Sequence, residues 1–256
     1  MKLFNKRTLF ILILLIGKNI SAQSIPTLTP TIGKMVDFTP EIKAEWVIRD
    51  KAMQDLTDGK RTWEELTPEE EELFTKYGEV YESMWDIVGR ACSWYCGGGL
   101  DTQTASSSLS PQGSNTYSPE NAHDLSYETA WVEGADDYGI GEYIEYHLRP
   151  ENPRITEIIV VNGYVKSDAA WKNNSRVKKL KVYLNDRPLA YLALEDSKAE
   201  QHFAVKAIGY ADRKDMDALK SKPASVLKFE IVEIYPGLKW KDTAITEIFF
   251  DGIDVH

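Results

Sequence analysis

The sequence predicts a mainly β protein: a jelly-roll antiparallel β-sandwich preceded by a short α-helical segment. Beyond residue 141, apolar and polar side chains alternate with a period of two, as in strands with one buried face. Gly, Pro, Asn and Asp mark turns between these segments, and no helices alternate with them, which argues against a parallel α/β sheet. Seven segments fit the strand pattern: Glu142–Leu148, Ile155–Val161, Val177–Leu184, Leu189–Leu194, Gln201–Val205, Leu227–Ile234 and Ile245–Phe250.

Two helices are predicted before the strands. Thr39-Pro40 places a capping hydroxyl and a first-turn proline at the start of a helix that runs to about Leu56, and Asp58-Gly59 ends it. Thr67-Pro68-Glu69-Glu70 repeats the start signal as a capping box. Apolar residues then recur at helical spacing and predict a stripe that packs on the first helix or on the domain behind it: Leu73, Tyr77, Val80, Met84 and Ile87.

The first 22 residues have the pattern of a secretory signal peptide. Lys2, Lys6 and Arg7 precede an apolar run from Leu9 to Ile16, and Ser21-Ala22 supplies small residues for cleavage. The run is shorter than the ~18 to 20 residues that span a bilayer, so we expect no transmembrane segment in the mature chain. We therefore expect an exported protein that is periplasmic, attached to the cell surface or secreted.

The mature chain is strongly acidic. The whole sequence has a net charge of −10, and removing a leader with four basic and no acidic residues lowers it to about −14. Coulombic repulsion therefore disfavours nucleic acid and anionic membrane surfaces as partners. Neutral sugars, proteins and divalent cations remain compatible with this charge.

The composition divides the mature chain into three parts. Residues 23–38 contain Pro and Thr with little periodicity and are expected to form a linker, residues 39–100 a helical segment, and residues 101–256 the sandwich. Cys92 and Cys96 are the only two cysteines. In an exported chain such close thiols favour a local disulfide, although redox or metal-binding roles are the alternatives.

Six motifs lie within residues 105 to 252: Tyr117–Ala122, Ala130–Gly134, Gly139–Glu142, Asn162–Lys166, Asn174–Lys178 and Asp242–Ile248. They resemble discoidin-like domains, also called coagulation-factor type C or galactose-binding-like domains. They are most similar to the branch defined by the translocation domain of secreted streptococcal NAD glycohydrolase. The resemblance implies a jelly roll whose loops determine the ligand, and the NAD-cleaving chemistry of that toxin belongs to a separate domain.

The resemblance also implies a possible structural Ca²⁺ site, because discoidin-like carbohydrate modules often hold this ion between the first loop and the last strand. Asp124, Thr129 and Glu247 match that arrangement, and Ala122 and Tyr127 would add backbone carbonyls. In the alternative, Asp124 caps a turn and Glu247 pairs with a lysine. No organic cofactor is expected.

Aromatic and polar residues near the strand ends form the candidate ligand site. Sugar rings stack their C–H faces on aromatic rings, while polar side chains bind the hydroxyls. The alternative places Tyr164 in the core and Arg176 in a buried ion pair. The candidates are Trp171, Trp240, Tyr138, Tyr164, Glu133, Asp136, Lys166, Asn174 and Arg176.

These patterns predict a non-catalytic binding module that recognises a glycan through loops at one end of the sandwich. A protein–protein adhesion or assembly module without sugar affinity is the alternative from another class. A glycoside-active enzyme or an accessory domain of a secreted toxin is the less favoured hypothesis. Glu133, Asp136, Asp137 and Glu142 are close in sequence, but no nucleophile motif or phosphate loop accompanies them, and we assign no catalytic residue.

Overall fold

A computed structural model describes residues 24–78, 83–87 and 93–255, and within them the protein is mainly β as predicted. All seven predicted strands are present, and shorter strands precede them. The strands are β1 (Thr27–Leu28), β2 (Thr31–Met35), β3 (Leu100–Ala105), β4 (Trp131–Val132), β5 (Tyr143–Leu148), β6 (Arg154–Asn162), β7 (Ser175–Leu184), β8 (Arg187–Ala193), β9 (Ala199–Ile208), β10 (Ser225–Tyr235) and β11 (Thr243–Ile253). The helices are α1 (Pro40–Thr57), α2 (Pro68–Tyr77), α3 (Asp168–Asn173) and α4 (Met216–Lys220).

The strands form a jelly-roll sandwich of two antiparallel sheets. One sheet has the order β2-β9-β6-β11, with β4 paired to the start of β11, and the other has the order β8-β7-β10-β5-β3. A short parallel pairing of β7 with β11 joins the two sheets into one continuous ladder. No sheet edge is therefore left between β7 and β11, where the two sheets meet.

The main core lies between the sheets. Alternate residues of each strand point inward, so the period-two pattern of the sequence becomes one shared apolar layer. Residues from both sheets meet there, including Ile158, Val160, Phe203, Ile248 and Phe250 from one and Ile144, Tyr146, Leu180, Val182, Leu227 and Phe229 from the other.

A second apolar cluster covers the outer face of the first sheet. Ile159, Val161 and Phe249 point away from the main core and pack against Val36, Ile87 and Tyr127 of preceding segments. Since β6 and β11 are covered on both faces, their buried residues run consecutively instead of alternating. Residues around Val36 and Ile87 thus cover this face of the sheet.

The two predicted helices form a small hairpin, and their start signals operate as expected. The Thr39 hydroxyl accepts the amide of Ile42 at 3.3 Å, and Thr67 and Glu70 form the capping box. The second helix is shorter than its apolar stripe predicts, because it ends at Tyr77, where Gly78 adopts a positive φ of 76°. Ile87 instead packs on the sheet, and Val80 lies outside the described residues.

Residues 23–38, which we expected to be a linker, contain two strands. β1 pairs in parallel with β8, and β2 pairs antiparallel with β9, so this segment extends an edge of each sheet. Val36 is buried in the outer cluster. Pairing with an existing sheet edge satisfies the backbone N–H and C=O groups of such short strands. Side-chain periodicity does not predict these strands.

The sandwich packing also begins before residue 101. Trp94 is fully buried, donates its indole N–H to the carbonyl of Pro153 at 2.8 Å, and packs edge-on against Phe250. β3 starts at Leu100 and pairs with β5. Residues 94–100 therefore contribute to the sandwich, although they were expected to close the helical segment.

Two other expectations concern residues outside the described ranges. The signal peptide at residues 1–22 and the Cys92–Cys96 disulfide stay predictions, because residues 1–23 and Cys92 are not described. Within residues 24–78, 83–87 and 93–255, no helix is long and apolar enough to cross a membrane.

Replacing Trp94 by Ala should destabilise the protein by roughly 3 to 5 kcal/mol, because it removes a buried aromatic ring and leaves a cavity in the core. Urea unfolding of the mature protein would measure this loss. Trp63→Ala is the matched control, since Trp63 is 46% exposed, and it should cost about 1 kcal/mol or less. Equal losses in both variants would contradict the core position of Trp94.

Candidate functional site

The predicted metal ligands lie in one loop and in the adjacent strand β11. The loop turns at Leu125, which has a positive φ of 58°. Asp124 holds the turn, since one carboxylate oxygen accepts the Ser126 amide at 3.0 Å and the other accepts the Thr129 hydroxyl at 2.6 Å. The Ala122 carbonyl accepts the Tyr146 hydroxyl at 3.1 Å. Asp124 thus caps a turn and also lies beside Glu247.

Glu247 is the unusual residue of this site, because its side chain is fully buried and neither carboxylate oxygen reaches hydrogen-bonding geometry with a donor in the described chain. Burial and, next, the charge of Asp124 hold the pKa of Glu247 well above its usual value. The amides of Leu125 and Ser126 are near enough to oppose that shift, but their contribution is smaller.

No cation of the protein compensates Glu247 among the described residues. The nearest basic side chain is His123, whose Nδ1 lies 4.0 Å from a Glu247 oxygen and is hydrogen-bonded to the carbonyl of Ile248 at 2.7 Å. Burial lowers the pKa of His123 to about 4, so the imidazole is neutral at neutral pH. The alternative ion pair of Glu247 with a lysine is not formed within the described residues.

A buried carboxylate with unused oxygens fits a hard cation, since Ca²⁺ prefers oxygen ligands. The described residues contain no cluster of three or more His, Cys, Asp or Glu side chains suited to a metal. The set here has two carboxylates, and the other predicted ligands are a hydroxyl and backbone carbonyls. The Tyr127 side chain is directed elsewhere, because its hydroxyl donates to Glu200 at 2.6 Å.

The second candidate site is a cleft of about 340 Å³ between loops that connect the strands, which we call the loop cleft. It contains three of the predicted ligand-binding residues: Tyr164, Asn174 and Trp240. The other lining residues are Leu109, Gln112, Asn115, Tyr117, Val132, Ala169, Ala170, Asn173 and Asp242.

Helix α3 and the loop before β11 position one wall of the loop cleft. The Ser167 hydroxyl caps α3 by accepting the Ala170 amide at 3.1 Å. The backbone amide of Trp240 then donates to the Asn173 carbonyl at 2.9 Å, which docks the loop on the end of α3. Gly237 is required there, because a Cβ at this position would overlap the carbonyl oxygens of Asn173 and Asn174. Trp240 remains 41% exposed beside the cleft.

Trp171 and Arg176 lie outside the loop cleft and form an internal stack. The Arg176 guanidinium lies 4.6 Å from the Trp171 ring and makes two hydrogen bonds to Asp196, at 2.9 and 2.8 Å. The Trp171 indole N–H donates to the carbonyl of Asn162 at 3.3 Å. The structure therefore pairs the buried Arg176 with Asp196, whose side chain is 37% exposed, so the ion pair that the sequence left as an alternative is only partly buried.

The remaining predicted ligand residues also lie outside the loop cleft. Glu133 is fully buried and accepts the amides of Thr243 at 2.9 Å and Ala135 at 2.8 Å, and burial raises its pKa. It therefore anchors the loop that carries exposed Asp136 and half-buried Tyr138. Lys166 lies 3.4 Å from Glu128, in an exposed ion pair.

The loop cleft contains residues that sequence reasoning did not select. Asp242, Tyr117, Gln112 and Asn115 line it beside Trp240. Asp242 follows Trp240 by two positions and directly precedes β11, so its place at a strand end was the available signal. The polar loop at residues 109–117 gave no comparable signal, because its contact with α3 depends on the tertiary fold.

A jelly-roll sandwich with candidate sites in its connecting loops is the arrangement that the resemblance to discoidin-like domains implies. A family model described as the NAD glycohydrolase translocation F5/8 type C domain matches residues 94–251, more than half of the 256 residues. The chain therefore belongs to this family. The match begins at Trp94, the first aromatic residue of the main core.

Several solved structures are similar to this chain at low identity. The paired CBM32 domains of Clostridium perfringens ZmpB, in complex with GalNAc, share 14% identity at a TM-score of 0.42, over 60% of this chain and 33% of that one. The fifth CBM32 module of a Clostridium perfringens GH89 protein, in complex with GalNAc-β-1,3-galactose, shares 16% identity at a TM-score of 0.42, over 59% of this chain and 94% of that one. The family 32 carbohydrate-binding module of Streptococcus pneumoniae EndoD shares 12% identity at a TM-score of 0.42, over 61% of this chain and 99% of that one.

At these identities and TM-scores, the similarities do not indicate a ligand for this chain. This chain spans 33% of the first of these structures. No curated protein matches the chain.

Glu247 should make the metal-free protein less stable as the pH rises. Its pKa is raised on folding, so the folded state binds a proton more tightly than the unfolded state, whose pKa is near 4.5. The contribution of Glu247 is then most favourable below pH 4.5 and declines as the pH rises towards the folded pKa. Urea unfolding in chelator from pH 4.5 to 7.5 should show a smaller decline for Glu247→Gln than for the wild type. Parallel profiles for the two proteins would contradict the raised pKa.

Proposed function

We propose that the protein is an exported, non-catalytic binding module that recognises a glycan in the loop cleft. The observation that carries the proposal is the exposed Trp240 at the edge of a 340 Å³ cleft with amide and aromatic walls. The signal pattern of the first 22 residues supports export.

The loop cleft has the two kinds of surface that a sugar needs. Trp240 offers a ring face for C–H groups, and Tyr117 and Tyr164 extend the aromatic surface inward. Gln112, Asn115 and Asn173 bring amide groups, which pair with hydroxyls as both donors and acceptors. Its volume lies within the ~300 to 1,000 Å³ typical of small-ligand sites.

The hydrogen bonds that two of the acidic residues accept support a non-catalytic role. Glycoside hydrolysis needs two carboxylates on either side of the scissile bond. Glu133 is buried and accepts two backbone amides, whereas Glu142 accepts the hydroxyls of Ser106 and Ser107. These two carboxylates are therefore used to hold loops in place.

A protein partner is the second candidate function, and the exposed apolar loop tips favour it. Leu238 is 81% exposed and Ile140 is 62% exposed, on loops that flank the start of β11. Single exposed apolar residues are common on soluble proteins, and neither residue lines the loop cleft. The cleft therefore supports the glycan more strongly.

We further propose a structural Ca²⁺ held by Asp124, Thr129 and Glu247, with the backbone carbonyls of Ala122 and Tyr127. When bound, the ion would supply the positive charge that the buried Glu247 lacks among the described residues. Because Glu247 belongs to the last strand, the ion would tie the loop at residues 122–129 to β11. Its role is therefore stability of the fold.

Trp240→Ala should abolish glycan binding while leaving the fold intact, because it removes the exposed ring beside the loop cleft. A glycan array on the mature protein, followed by calorimetry on the best ligand, would measure the effect, with an expected affinity loss of at least tenfold. Trp63→Ala is the control, since it removes an exposed indole from the helical hairpin. Absence of any glycan binding by the wild-type protein would reject the proposal and favour a protein partner.

Ca²⁺ should raise the melting temperature of the wild-type protein at pH 7. At a concentration 100 times Kd the gain is about 2.7 kcal/mol, because the ion binds only the folded state. Thermal unfolding with Ca²⁺ and with chelator would test this, and Glu247→Gln should remove the response. A wild-type melting temperature that is the same under both conditions would rule out the site.

A further inference from the structure

Asp242 is the charged side chain among the lining residues of the loop cleft. The other lining residues are apolar, aromatic or amide-bearing. Asp242 directly precedes β11 and is half-buried, so its carboxylate is partly withdrawn from solvent. Asp242 therefore contributes a negative charge directly to the electrostatic potential of the cleft.

The Asp242 carboxylate has no hydrogen bond or ion pair with any residue in the described ranges, and only the Asp242 backbone carbonyl is used, as acceptor of the Ser175 amide at 2.9 Å. By contrast, the buried Glu133 is bound to two backbone amides, and the buried Glu247 is assigned to the proposed ion. Asp242 therefore retains its full accepting capacity towards the cleft.

The neighbouring lysines are directed to aromatic rings. Lys239 Nζ lies 4.6 Å from the centroid of the Trp240 ring, and Lys241 Nζ lies 5.9 Å from that of Tyr138. Neither lysine lines the loop cleft. Neither lysine forms an ion pair with the Asp242 carboxylate in the described part of the chain.

We infer that Asp242 makes the loop cleft selective for uncharged glycans, by accepting hydrogen bonds from two adjacent hydroxyls and by repelling acidic sugars. This inference rests on the proposed function, because it assumes that the cleft binds a glycan. A carboxylate accepts two parallel hydrogen bonds, and the hydroxyls of neighbouring ring carbons present two donors at the required spacing. Trp240 would then hold the apolar side of the same ring.

The same carboxylate discriminates against sialic acid and uronic acids. A carboxylate on a sugar in so small a cleft would lie within roughly one Debye length of Asp242, about 8 Å at physiological ionic strength, so salt weakens the repulsion without removing it. A carboxylate on the sugar would also leave Asp242 without the donors that offset its desolvation. Attraction to neutral sugars and rejection of acidic ones therefore have one origin.

The test uses a panel of neutral glycans ending in galactose, N-acetylhexosamine, glucose or mannose, together with the same glycans capped by sialic or glucuronic acid. The wild-type protein should bind a neutral glycan at least tenfold more tightly than its capped form. Asp242→Asn keeps the shape of the side chain and removes the charge. This substitution should weaken the affinity for neutral glycans by about tenfold to a hundredfold, since charge-assisted hydrogen bonds are lost. It should also reduce the ratio between the affinities for neutral and for capped glycans.

Asp217→Asn is the matched control, because Asp217 is 93% exposed on α4 and is not part of the loop cleft. It should leave affinity and selectivity unchanged. If Asp242→Asn binds with wild-type affinity and selectivity, the inference is overturned while the proposed function stands. If the wild-type protein binds capped glycans more tightly than neutral ones, the inference is also overturned while the proposed function stands, and no variant is needed to show it. A wild-type protein that binds no member of the panel overturns both.

Discussion

Burial of strand β11 on both faces is the constraint on which the rest of the structure depends. Its inward residues Ile248 and Phe250 belong to the core between the sheets, and its outward Phe249 belongs to the cluster under the N-terminal segment. The same strand pairs with β6 and β4 and, through two residues, with β7 of the other sheet. Both candidate sites are built on it, since Asp242 precedes it and Glu247 lies within it.

Three polar groups in this apolar frame show how the protein treats buried charge. Glu133 is held by two amides, and Arg176 is held by Asp196 and by the face of Trp171. Each of these groups therefore has its desolvation offset by nearby partners. Glu247 has no such arrangement among the described residues, and this difference supports a bound cation more than the identity of the loop residues does.

The sandwich was predictable because period-two alternation reports which face of a strand is buried, and each of the seven long strands has at least one such face. The strands at residues 27–35 were not predictable, since they are short, exposed and stabilised by pairing with β8 and β9. The end of α2 was missed because apolar spacing continues beyond Gly78, although the backbone there leaves the helical conformation.

The candidate ligand residues were harder to predict than the fold, for a related reason. An aromatic residue near a strand end faces either a cleft or the neighbouring side chains, and local sequence does not distinguish the two. A lysine is next to Trp240 and to Trp171 in the sequence. Trp240 nevertheless lies at the loop cleft, whereas Trp171 stacks on Arg176. Asp242 was overlooked because its importance comes from being the charged residue of the cleft lining, which only the packed cleft reveals.

The placement of β11 also bears on the order in which the chain can fold. The amide of Thr243 at the start of this strand bonds to Glu133, 110 residues earlier, and the ladder that joins the two sheets is completed only when β11 pairs with β6 and β7. Contacts so distant in sequence form late and slowly, because the intervening loop must first be closed. A growing chain therefore cannot complete the sandwich until β11 has been made.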